Sequence, residues 1–297
     1  MKFSITVPSF NQGKFLEETL KSLVSQEGPE FEVLVKDGGS TDGSLDILKK
    51  YEGRVSYTSG KDEGQSDAIN QGLKASSGDI LGFLNSDDLY LPGALAYVEE
   101  YFKANPTCMI LYGKADHCDE LGNFIEHYPT LPWNYDKLLD TCYICQPAVF
   151  WRKEIHQDLG YLDERLHYAM DYEFWLRIGK KIPLHYLGDT SMPLAVSRLH
   201  AEGKTLNKRV PAHREILEVV RRYVRDPRET YTWLRYTASL TVIKAGTPPS
   251  HDPKRQGMFI HAYAKEVKVL ADEFAIELDH DFHEELKALL KPFEIIE

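Results

Sequence analysis

The feature that most constrains this fold is a regular alternation of short apolar runs and amphipathic runs through residues 1–115. Apolar runs of strand length start at Phe3, Phe31 and Ile80. Between them, apolar residues recur at three- and four-residue steps, which is typical of helices. The alternation predicts strands at 3–7, 31–35, 55–57 and 80–84, and helices at 14–26, 44–51 and 65–75. A β-α-β-α-β-α-β order favours a mainly parallel sheet with helices on both faces.

The rest of the chain divides into an irregular part and a helical part. Residues 108–200 contain shorter strand candidates and one predicted helix that starts at Asp171. Strand signals stop beyond residue 210, and the remaining apolar patterns predict helices. We therefore expect an α/β domain at residues 1–210, followed by a helical extension at residues 211–297.

Composition limits the classes of protein that the chain can belong to. The chain has 297 residues, a net charge of −11 and 42% hydrophobic residues, which is typical of a globular protein and argues against broad nucleic-acid binding. No apolar run approaches the roughly 18 residues of a membrane span. Residues 1–10 turn polar too early for a secretory signal, so we expect a cytoplasmic location. In that compartment Cys108, Cys118, Cys142 and Cys145 are predicted to be free thiols.

Polar clusters follow three of the predicted strands, where ligands bind in sheets of this kind. The clusters are at 37–42, 62–67 and 85–88. An Asp or Ser in such a place can also cap the following helix, which is an equal alternative for Asp42 and Ser66. Asp87 and Asp88 are adjacent, and neighbouring carboxylates repel each other unless a cation or firm hydrogen bonds neutralise them. The pair therefore predicts a site for Mg²⁺ or Mn²⁺ that bridges to a substrate phosphate.

Two other nucleotide-binding patterns are absent from the sequence. The segment after the first strand, Pro8–Gly13, lacks the Gly-x-Gly-x-x-Gly pattern of dinucleotide-binding sheets. The segment Gly203–Thr205 resembles the end of a phosphate-binding loop, but Arg198 stands where that loop requires its first glycine. A dehydrogenase and a Walker-type phosphate site are therefore not expected.

Four segments, in order, carry a resemblance to a known family. The segments are Val7–Asn11, Lys36–Ser44, Asp62–Gly72 and Asn85–Asp88. Each alone is a weak signal, but together, over residues 1–205, they resemble the family 2 glycosyltransferases of GT-A fold, which have a Rossmann-like central sheet. The resemblance implies an inverting transferase of hexosyl or N-acetylhexosaminyl type that uses a nucleotide-diphospho-sugar, as in bacterial surface-polysaccharide synthesis.

The resemblance also implies roles for individual residues. Asp88 matches the metal-binding acid of the family's DxD motif. His200 matches the histidine of the family's closing Arg-x-His element, which approaches the metal or the diphosphate. Asp171 matches the general base, although the family usually has a Glu where this chain has Met170. The positions that match the donor pocket are Pro8, Ser9, Phe10, Asn11, Asp37, Asp67, Ser86 and Asp87.

A further segment resembles the border of the family's acceptor cleft. It makes Gln146, Trp151 and Arg152 candidate acceptor contacts. Ordinary structural roles stay open for several of these positions: Trp151 can be a core residue, and Gln146 can bond to the backbone. Asp171 can cap its helix, and His200 can be an ordinary surface histidine.

The nucleobase is also suggested by the acidic loops. A carboxylate at Asp37 or Asp67 can accept a hydrogen bond from the imide N–H of uracil, whereas cytosine offers no such proton. A UDP-sugar is therefore favoured as donor. Guanine also carries an imide N–H, so a GDP-sugar remains an alternative.

We therefore expect metal-dependent transfer of a sugar to a hydroxyl group of a glycan or lipid-linked acceptor, with Mn²⁺ or Mg²⁺ as cofactor. A nucleotidyltransferase is one alternative, but Pro8–Gly13 lacks the Gly-rich basic triphosphate loop of that class. A non-catalytic nucleotide- or carbohydrate-binding module is the other alternative. Such a module would need no base, so the presence of Asp171 disfavours it.

The C-terminal region has an uneven distribution of charge. Residues 198–235 contain ten Lys or Arg against five Asp or Glu, and residues 265–297 contain four against ten. Runs of this kind are usually solvated helix faces. The functional alternative is a basic face that binds anionic lipid, which would place the protein at the inner face of a membrane near a lipid-linked acceptor.

Overall fold

The computed structural model describes residues 1–188 and 192–293, apart from the side chains of residues 205 and 206. The chain forms two compact units. The first unit contains Met1–Leu138 and Cys142–Ala201. The second contains Leu139–Thr141 and the chain from Glu202 onward.

The strands all belong to the first unit, and the last helices belong to the second. The strands are β1 Lys2–Ser9, β2 Glu30–Asp37, β3 Ser56–Ser59, β4 Ile80–Phe83, β5 Leu89–Tyr90, β6 Ile110–Tyr112, β7 Ala115–Cys118, β8 Phe124–His127, β9 Val149–Arg152, β10 His185–Tyr186 and β11 Ala195–Arg198. The α-helices are α1 Leu16–Val24, α2 Ser44–Lys50, α3 Gln65–Ala75, α4 Ala94–Ala104, α5 Tyr135–Asp140, α6 Ile155–Leu159, α7 Met170–Gly179, α8 Lys204–Asn207, α9 Arg209–Tyr223, α10 Tyr231–Lys244, α11 Pro253–Glu273 and α12 His280–Leu290. Short 3₁₀ turns lie at Gln146–Ala148, Pro227–Thr230 and Lys291–Phe293.

The larger sheet has the strand order β10-β6-β9-β4-β1-β2-β3 within the described residues. Strands β4, β1, β2 and β3 are parallel to one another, as the alternation predicts. Strand β9 runs antiparallel to both β4 and β6, which it joins. The predicted mainly parallel sheet is confirmed, with one reversed strand inside it.

The central strand β1 shows why this sequence forms a sheet covered on both faces. Phe3, Ile5 and Val7 are all fully buried. The strand's alternate residue Thr6 is buried too, because helix α3 packs closely over it at Gly72. A Cβ at Gly72 would lie 2.3 Å from Cγ2 of Thr6, so this contact requires glycine. The apolar residues at every second position of β1 form the alternating pattern from which its position was predicted.

A smaller sheet with the order β5-β11-β7-β8 was only partly predicted. It joins β11 to β5 in antiparallel pairing and to β7 in parallel pairing. Strand β5 has only two residues, and all four residues of β8 are exposed. Neither strand therefore carries the apolar pattern on which a prediction depends.

The second unit consists of helices packed in sequence, α9 on α10, α10 on α11 and α11 on α12. Arg214 of α9 pairs with Glu273 of α11, and Arg235 of α10 pairs with Glu285 of α12. The basic and acidic runs of the sequence thus partly neutralise each other inside this unit. Across the two described stretches of chain, no helix combines the length and apolarity that a membrane crossing requires.

Candidate functional site

The polar clusters meet at one edge of the larger sheet. Ser9, the last residue of β1, lies in register with Asp37, the last residue of β2. Asp37 in turn lies in register with Ser59, the last residue of β3. Because these strands are parallel, the loops that follow them, together with the loop after β4, start from the carboxyl edge of the sheet, where ligands bind in such folds.

The loops after β1 and β2 are tied together by side chains. Asn11, whose φ is +51°, donates its backbone N–H to Oγ of Ser40 at 2.8 Å and accepts from the N–H of Thr41 at 2.9 Å. Asp42 accepts from the backbone N–H of Gly13 at 2.7 Å and from the hydroxyl of Ser44 at 2.6 Å. Burial alone would raise the pKa of Asp42, but these hydrogen bonds lower it. Asn11 and Asp42 therefore fix the loop backbone.

Asp37 lies beneath these loops and is only 3% exposed. Its Oδ2 accepts from the N–H groups of Gly39 and Ser40 at 3.1 and 3.0 Å and from the hydroxyl of Ser59 at 2.6 Å. Its Oδ1 accepts from the hydroxyl of Ser40 at 2.5 Å. The carboxylate of Asp37 thus accepts four hydrogen bonds within the protein. The resemblance implies that this residue contacts the base or ribose of the donor. That assignment stays a prediction.

The loops after β1, β2 and β3 approach one another closely at Gly38. A Cβ at Gly38 would lie 2.9 Å from Oδ2 of Asp62 and 3.2 Å from Cδ2 of Phe10, so this close approach favours glycine. Phe10 is 60% exposed. The hydroxyl of Ser9 is buried and has no hydrogen-bond partner within the described chain.

Two polar residues in the first turn of α3 have structural contacts. Oδ2 of Asp67 accepts from the N–H of Glu63 at 3.0 Å and from Nε2 of Gln71 at 2.9 Å, so it braces the first turn of α3. The hydroxyl of Ser66 donates to the carbonyl of Leu166 at 2.7 Å. Ser66 therefore connects α3 to the segment before α7 and does not cap its own helix.

The two adjacent acids after β4 point in different directions. Asp88 is 3% exposed; its Oδ1 accepts from the backbone N–H of Arg198 at 2.9 Å, and its Oδ2 accepts from Nδ2 of Asn85 at 3.2 Å. Burial raises the pKa of Asp88, and the charge of Asp87 adds to this shift. Asp87 keeps a 21% exposed side chain, and its Oδ2 lies 2.9 Å from Nε2 of His200. Asp87 is therefore the more exposed of the two acids, and it pairs with the buried His200.

Arg198 holds this pair in place. Its guanidinium donates to the carbonyl of Asp87 at 3.0 Å and to Oε2 of Glu18 at 2.6 Å, and it stacks over the ring of Phe15 at 5.1 Å. The same ring contacts the imidazole of His200 at 4.6 Å between centroids. Arg198 thus fixes the backbone of Asp87, and Phe15 fixes the ring of His200.

The donor set fits a hard divalent cation only in part. Among the residues that the structure describes, no group of three or more His, Cys, Asp and Glu side chains is arranged to hold a metal ion. Asp87 and His200 supply one carboxylate oxygen and one imidazole nitrogen, and Mg²⁺ in particular usually takes few protein ligands and completes its shell with water and substrate phosphates. The residues therefore fit a cation that needs the donor's diphosphate to complete its coordination.

Asp171 lies in the first turn of α7 and is half-buried. Its Oδ1 accepts from the N–H of Tyr172 at 2.7 Å. The next acid on the helix, Glu173, is buried and forms an ion pair with Arg177 at 2.7 Å. Burial raises the pKa of the nearby Cys142 to about 12, and the charge of Asp171 adds to this shift. The thiol therefore stays protonated beside Asp171, and the assignment of Asp171 as general base stays a prediction.

The three acceptor candidates lie in structural positions. Nε2 of Gln146 donates to the carbonyl of Phe83 at 2.7 Å, so the backbone alternative describes its contact. The ring of Trp151 is fully buried and has no exposed surface with which to touch an acceptor. The Nε of Arg152 donates to the carbonyl of Cys108 at 2.8 Å. The role of these three residues in binding an acceptor stays a prediction.

Sequence reasoning missed several residues of the site. Asn85 donates to Asp88 and accepts from Nε2 of Gln65 at 2.8 Å, so it links the acidic loop to α3. Asp62 was left without a role, although it opens a polar cluster after a strand. Arg198 appeared only as part of a motif. Asn85 and Asp62 stand inside clusters already singled out, but only the fold shows which of their neighbours they contact.

The sheet order and the acid-bearing loops at its carboxyl edge define an α/β sheet of the GT-A type, with helices following it. The sequence profile described as glycosyl transferase family 2 matches residues 4–159, just over half of the chain. The chain belongs to this family. The resemblance found in the four sequence segments and the predicted fold class are both confirmed.

Matches to glycosyltransferases of other organisms cover different shares of the chain. A PGL/p-HBAD biosynthesis glycosyltransferase of Mycobacterium tuberculosis is 30% identical over 184 residues, which cover 59% of this chain and 68% of that protein. An uncharacterized glycosyltransferase of Rickettsia bellii is 27% identical over 209 residues, which cover 69% of this chain and 30% of that protein. The chain thus spans only about a third of the length of the Rickettsia relatives.

Solved structures share the fold at lower sequence identity. TarS 1-349 of S. aureus in complex with UDP has a TM-score of 0.63 at 21% identity, covering 100% of this chain and 93% of that chain. The mannosyltransferase PcManGT of Pyrobaculum calidifontis, in complex with GDP-Man and Mn²⁺, has a TM-score of 0.60 at 17% identity, covering 98% and 85%. At these identities the likeness concerns the fold alone.

Proposed function

We propose that this chain transfers a sugar from a nucleotide-diphospho-sugar to a hydroxyl acceptor with inversion. The observation that carries the proposal is the pairing of Asp87 with His200 at 2.9 Å, on a loop that leaves the same sheet edge as the loops after Ser9 and Asp37. A nucleoside at those loops and a diphosphate at the pair would use both ends of one donor. Family membership supports the same reaction class.

The metal dependence is part of this proposal. Asp87 and His200 would hold Mn²⁺ or Mg²⁺, which supplies electrostatic stabilisation of the departing diphosphate when it is bound. The sequence assigned the metal to Asp88, and that prediction remains to be tested. The geometry favours Asp87, because both oxygens of Asp88 accept hydrogen bonds from Arg198 and Asn85.

Asp171 is proposed as the general base. In a single displacement the acceptor hydroxyl attacks the anomeric carbon as its proton moves to a carboxylate and the bond to the diphosphate breaks, so no covalent intermediate is needed. Asp171 sits at the N-terminal turn of α7, where the helix favours a negative charge. Helix α7 is far in sequence from the acidic loop after β4. A base on such a separate element can act on the face of the sugar opposite the departing diphosphate.

The donor and acceptor are proposed by class. A UDP-sugar is favoured because the nucleoside loops offer carboxylates, and TarS structures with UDP and UDP-GlcNAc share the fold. The GDP-Man complex of PcManGT keeps guanosine as the alternative. The acceptor is proposed to be a glycan or a lipid-linked sugar, in line with the biosynthetic name of the Mycobacterium relative.

We also propose a cytoplasmic location with peripheral membrane contact through residues 198–235. Arg214, Arg222, Arg228 and Arg235 of this range form ion pairs within the second unit. Electrostatic attraction to anionic lipid therefore depends mainly on the other basic residues of the range. Sedimentation with anionic and neutral vesicles would measure this contact.

The experiment that tests the reaction uses a panel of nucleotide-sugars with Mn²⁺ and measures release of nucleoside diphosphate. We expect the wild-type chain to release diphosphate from one donor class, and to do so faster than the Asp171→Asn variant does with the same donor. Chelation of the metal should reduce the wild-type rate. Titration calorimetry with UDP, GDP, CDP and ADP gives a second readout that needs no acceptor. If no diphosphate binds and no donor is consumed, the proposed function is wrong.

A further inference from the structure

We propose that an exposed apolar stripe on helix α10, bordered by basic residues, inserts into the surface of an anionic phospholipid bilayer. The stripe consists of Tyr236, Leu240 and Ile243, and we call it the α10 stripe. This inference rests on the membrane contact in the proposed function and gives that contact a defined surface. It places the contact on apolar side chains as well as on charge, and on residues beyond 198–235.

The stripe follows from the sequence of α10. Tyr236, Leu240 and Ile243 are spaced by four and three residues, so they share one face of the helix. Other positions of the same helix supply the residues that are buried inside the second unit, which are Trp233, Leu234, Thr237, Ala238 and Val242. A helix that is apolar beyond its packed side leaves a surface that is more stable when it is covered.

The stripe is accessible in the structure. Tyr236 is 41% exposed and Ile243 is 42% exposed, while Leu240 between them is half-buried. Arg209 of α9 donates to the hydroxyl of Tyr236 at 2.6 Å, and the rings of His213 and Tyr236 lie 4.8 Å apart between centroids. Tyr236 is therefore held with its ring at the surface and its hydroxyl bonded, and such amphipathic rings are enriched at the interface between a membrane and water.

The surroundings of the stripe are basic, although the whole chain is acidic. Residues 203–214 and 231–251 contain no Asp or Glu, whereas the chain has a net charge of −11. Lys208 and Arg209, where α9 begins, and Lys244, where α10 ends, are exposed. A bilayer surface with negative headgroups complements apolar side chains that are bordered by positive charge.

The size of the stripe argues against a second copy of the chain as its occupant. Its most accessible side chains, Tyr236 and Ile243, are each only about two-fifths exposed, so the stripe offers far less than the roughly 800 Å² per partner of a stable dimer. Two copies that each carry a net charge of −11 also repel each other. A bilayer, in contrast, can take up the apolar face of a single helix.

Sedimentation of the whole chain with vesicles tests the inference. Vesicles of equal parts phosphatidylglycerol and phosphatidylcholine are compared with vesicles of phosphatidylcholine alone. Ile243→Gln should weaken binding to the anionic vesicles about fivefold, because it removes an apolar side chain from the interface. Lys244→Gln should also weaken it about fivefold, because it removes a positive charge near the headgroups. The matched controls are Val269→Gln and Lys268→Gln at exposed positions of α11, which should bind as the wild type does.

A tryptophan in the stripe gives a second readout, which reports on insertion directly. With anionic vesicles, the emission of Ile243→Trp should shift to shorter wavelength and be quenched by lipids that are brominated in their acyl chains. Val269→Trp on α11 should show neither change. Equal behaviour of the two variants would mean that the stripe stays in water, and the inference would be wrong.

The outcomes separate this inference from the proposed reaction, because calorimetry measures nucleoside diphosphate binding without vesicles. If the chain binds no anionic vesicles, the membrane contact and this inference are wrong even when UDP binds. If it binds them but Ile243→Gln binds equally well, or if the α11 controls weaken binding as much, only the α10 stripe is overturned. A wild-type dimer that Ile243→Gln dissociates, without vesicle binding, would assign the stripe to a second copy. Weaker binding of Ile243→Gln and Lys244→Gln alone supports the inference.

Discussion

Replacing Asp37 should destabilise the loop after β2, because this carboxylate holds the loop backbone in place. Asp37→Ala removes the acceptor of four hydrogen bonds at a site that is 3% exposed. The hydroxyls of Ser40 and Ser59 can rotate to other acceptors, but the N–H groups of Gly39 and Ser40 cannot. Each unsatisfied buried group costs about 1–3 kcal/mol, so we expect a loss of roughly 2–5 kcal/mol in the free energy of unfolding.

A matched variant separates loss of charge from loss of the acceptor. Asp37→Asn can place its carbonyl oxygen at the Oδ2 position, where three donors converge. It would lose only the charge contribution, about 1–2 kcal/mol. Asp62→Ala serves as the control, because Asp62 is half-buried and accepts one hydrogen bond, and its cost should stay below about 1 kcal/mol.

Urea denaturation followed by tryptophan fluorescence measures these differences. Trp151 and Trp175 are fully buried in the first unit, so their emission reports on the unit that contains Asp37. We expect the order wild type, Asp62→Ala, Asp37→Asn and Asp37→Ala in falling midpoint, at similar m-values. The reasoning is refuted if Asp37→Ala and Asp62→Ala unfold at the same urea concentration.

Three other changes test the site and its surroundings. Asp171→Asn should keep nucleotide binding but lower turnover by about 10²–10⁴-fold; near-normal turnover, or retention of the anomeric configuration, would exclude Asp171 as base. Asp87→Asn should abolish the gain in UDP affinity from Mn²⁺ while Asp88→Asn keeps it; the reverse result in calorimetry would return the metal to Asp88. Burial alone would raise the pKa of Glu32, but its hydrogen bonds lower it from 4.5 to about 2, so its stabilisation is present above pH 4.5 and is lost as pH falls towards 2. Glu32→Gln should therefore cost about 1–2 kcal/mol at pH 7, reduced by solvent exposure, and nothing near pH 2; an equal cost at both pH values in urea titrations would contradict this.

The predictability of each element depends on whether its own sequence carries a periodic apolar pattern. Strand β1 has apolar residues at every second position from Phe3 to Val7, so its position is clear. Strand β8 is exposed along its length and is held by pairing with β7, which the local sequence does not encode. Helices α9 to α12 were predicted because apolar residues recur at helical spacing, as Leu217 and Val220 do in α9.

The candidate site was found from the sequence, but the orientation of its side chains was not. The sequence places Asp37, Asp62 and Asp67 after predicted strands, and each carboxylate is chemically able to accept a hydrogen bond from a base. Whether a carboxylate already accepts hydrogen bonds within the protein depends on donors from other parts of the chain, such as Ser59 for Asp37 and Gln71 for Asp67. That information exists only after the loops have folded against one another.

The acid pair shows how the fold resolves a conflict written into the sequence. Two adjacent carboxylates repel each other, and a buried one is stable only with firm hydrogen bonds. Strand β11 supplies both solutions, because the backbone N–H of Arg198 binds Asp88 while His200, two residues later, reaches Asp87. The buried acid fixes the turn, and the guanidinium of Arg198 fixes the carbonyl of Asp87. Strand β11, which lies between β5 and β7 in the smaller sheet, thus also fixes the orientation of Asp87 in the proposed metal site.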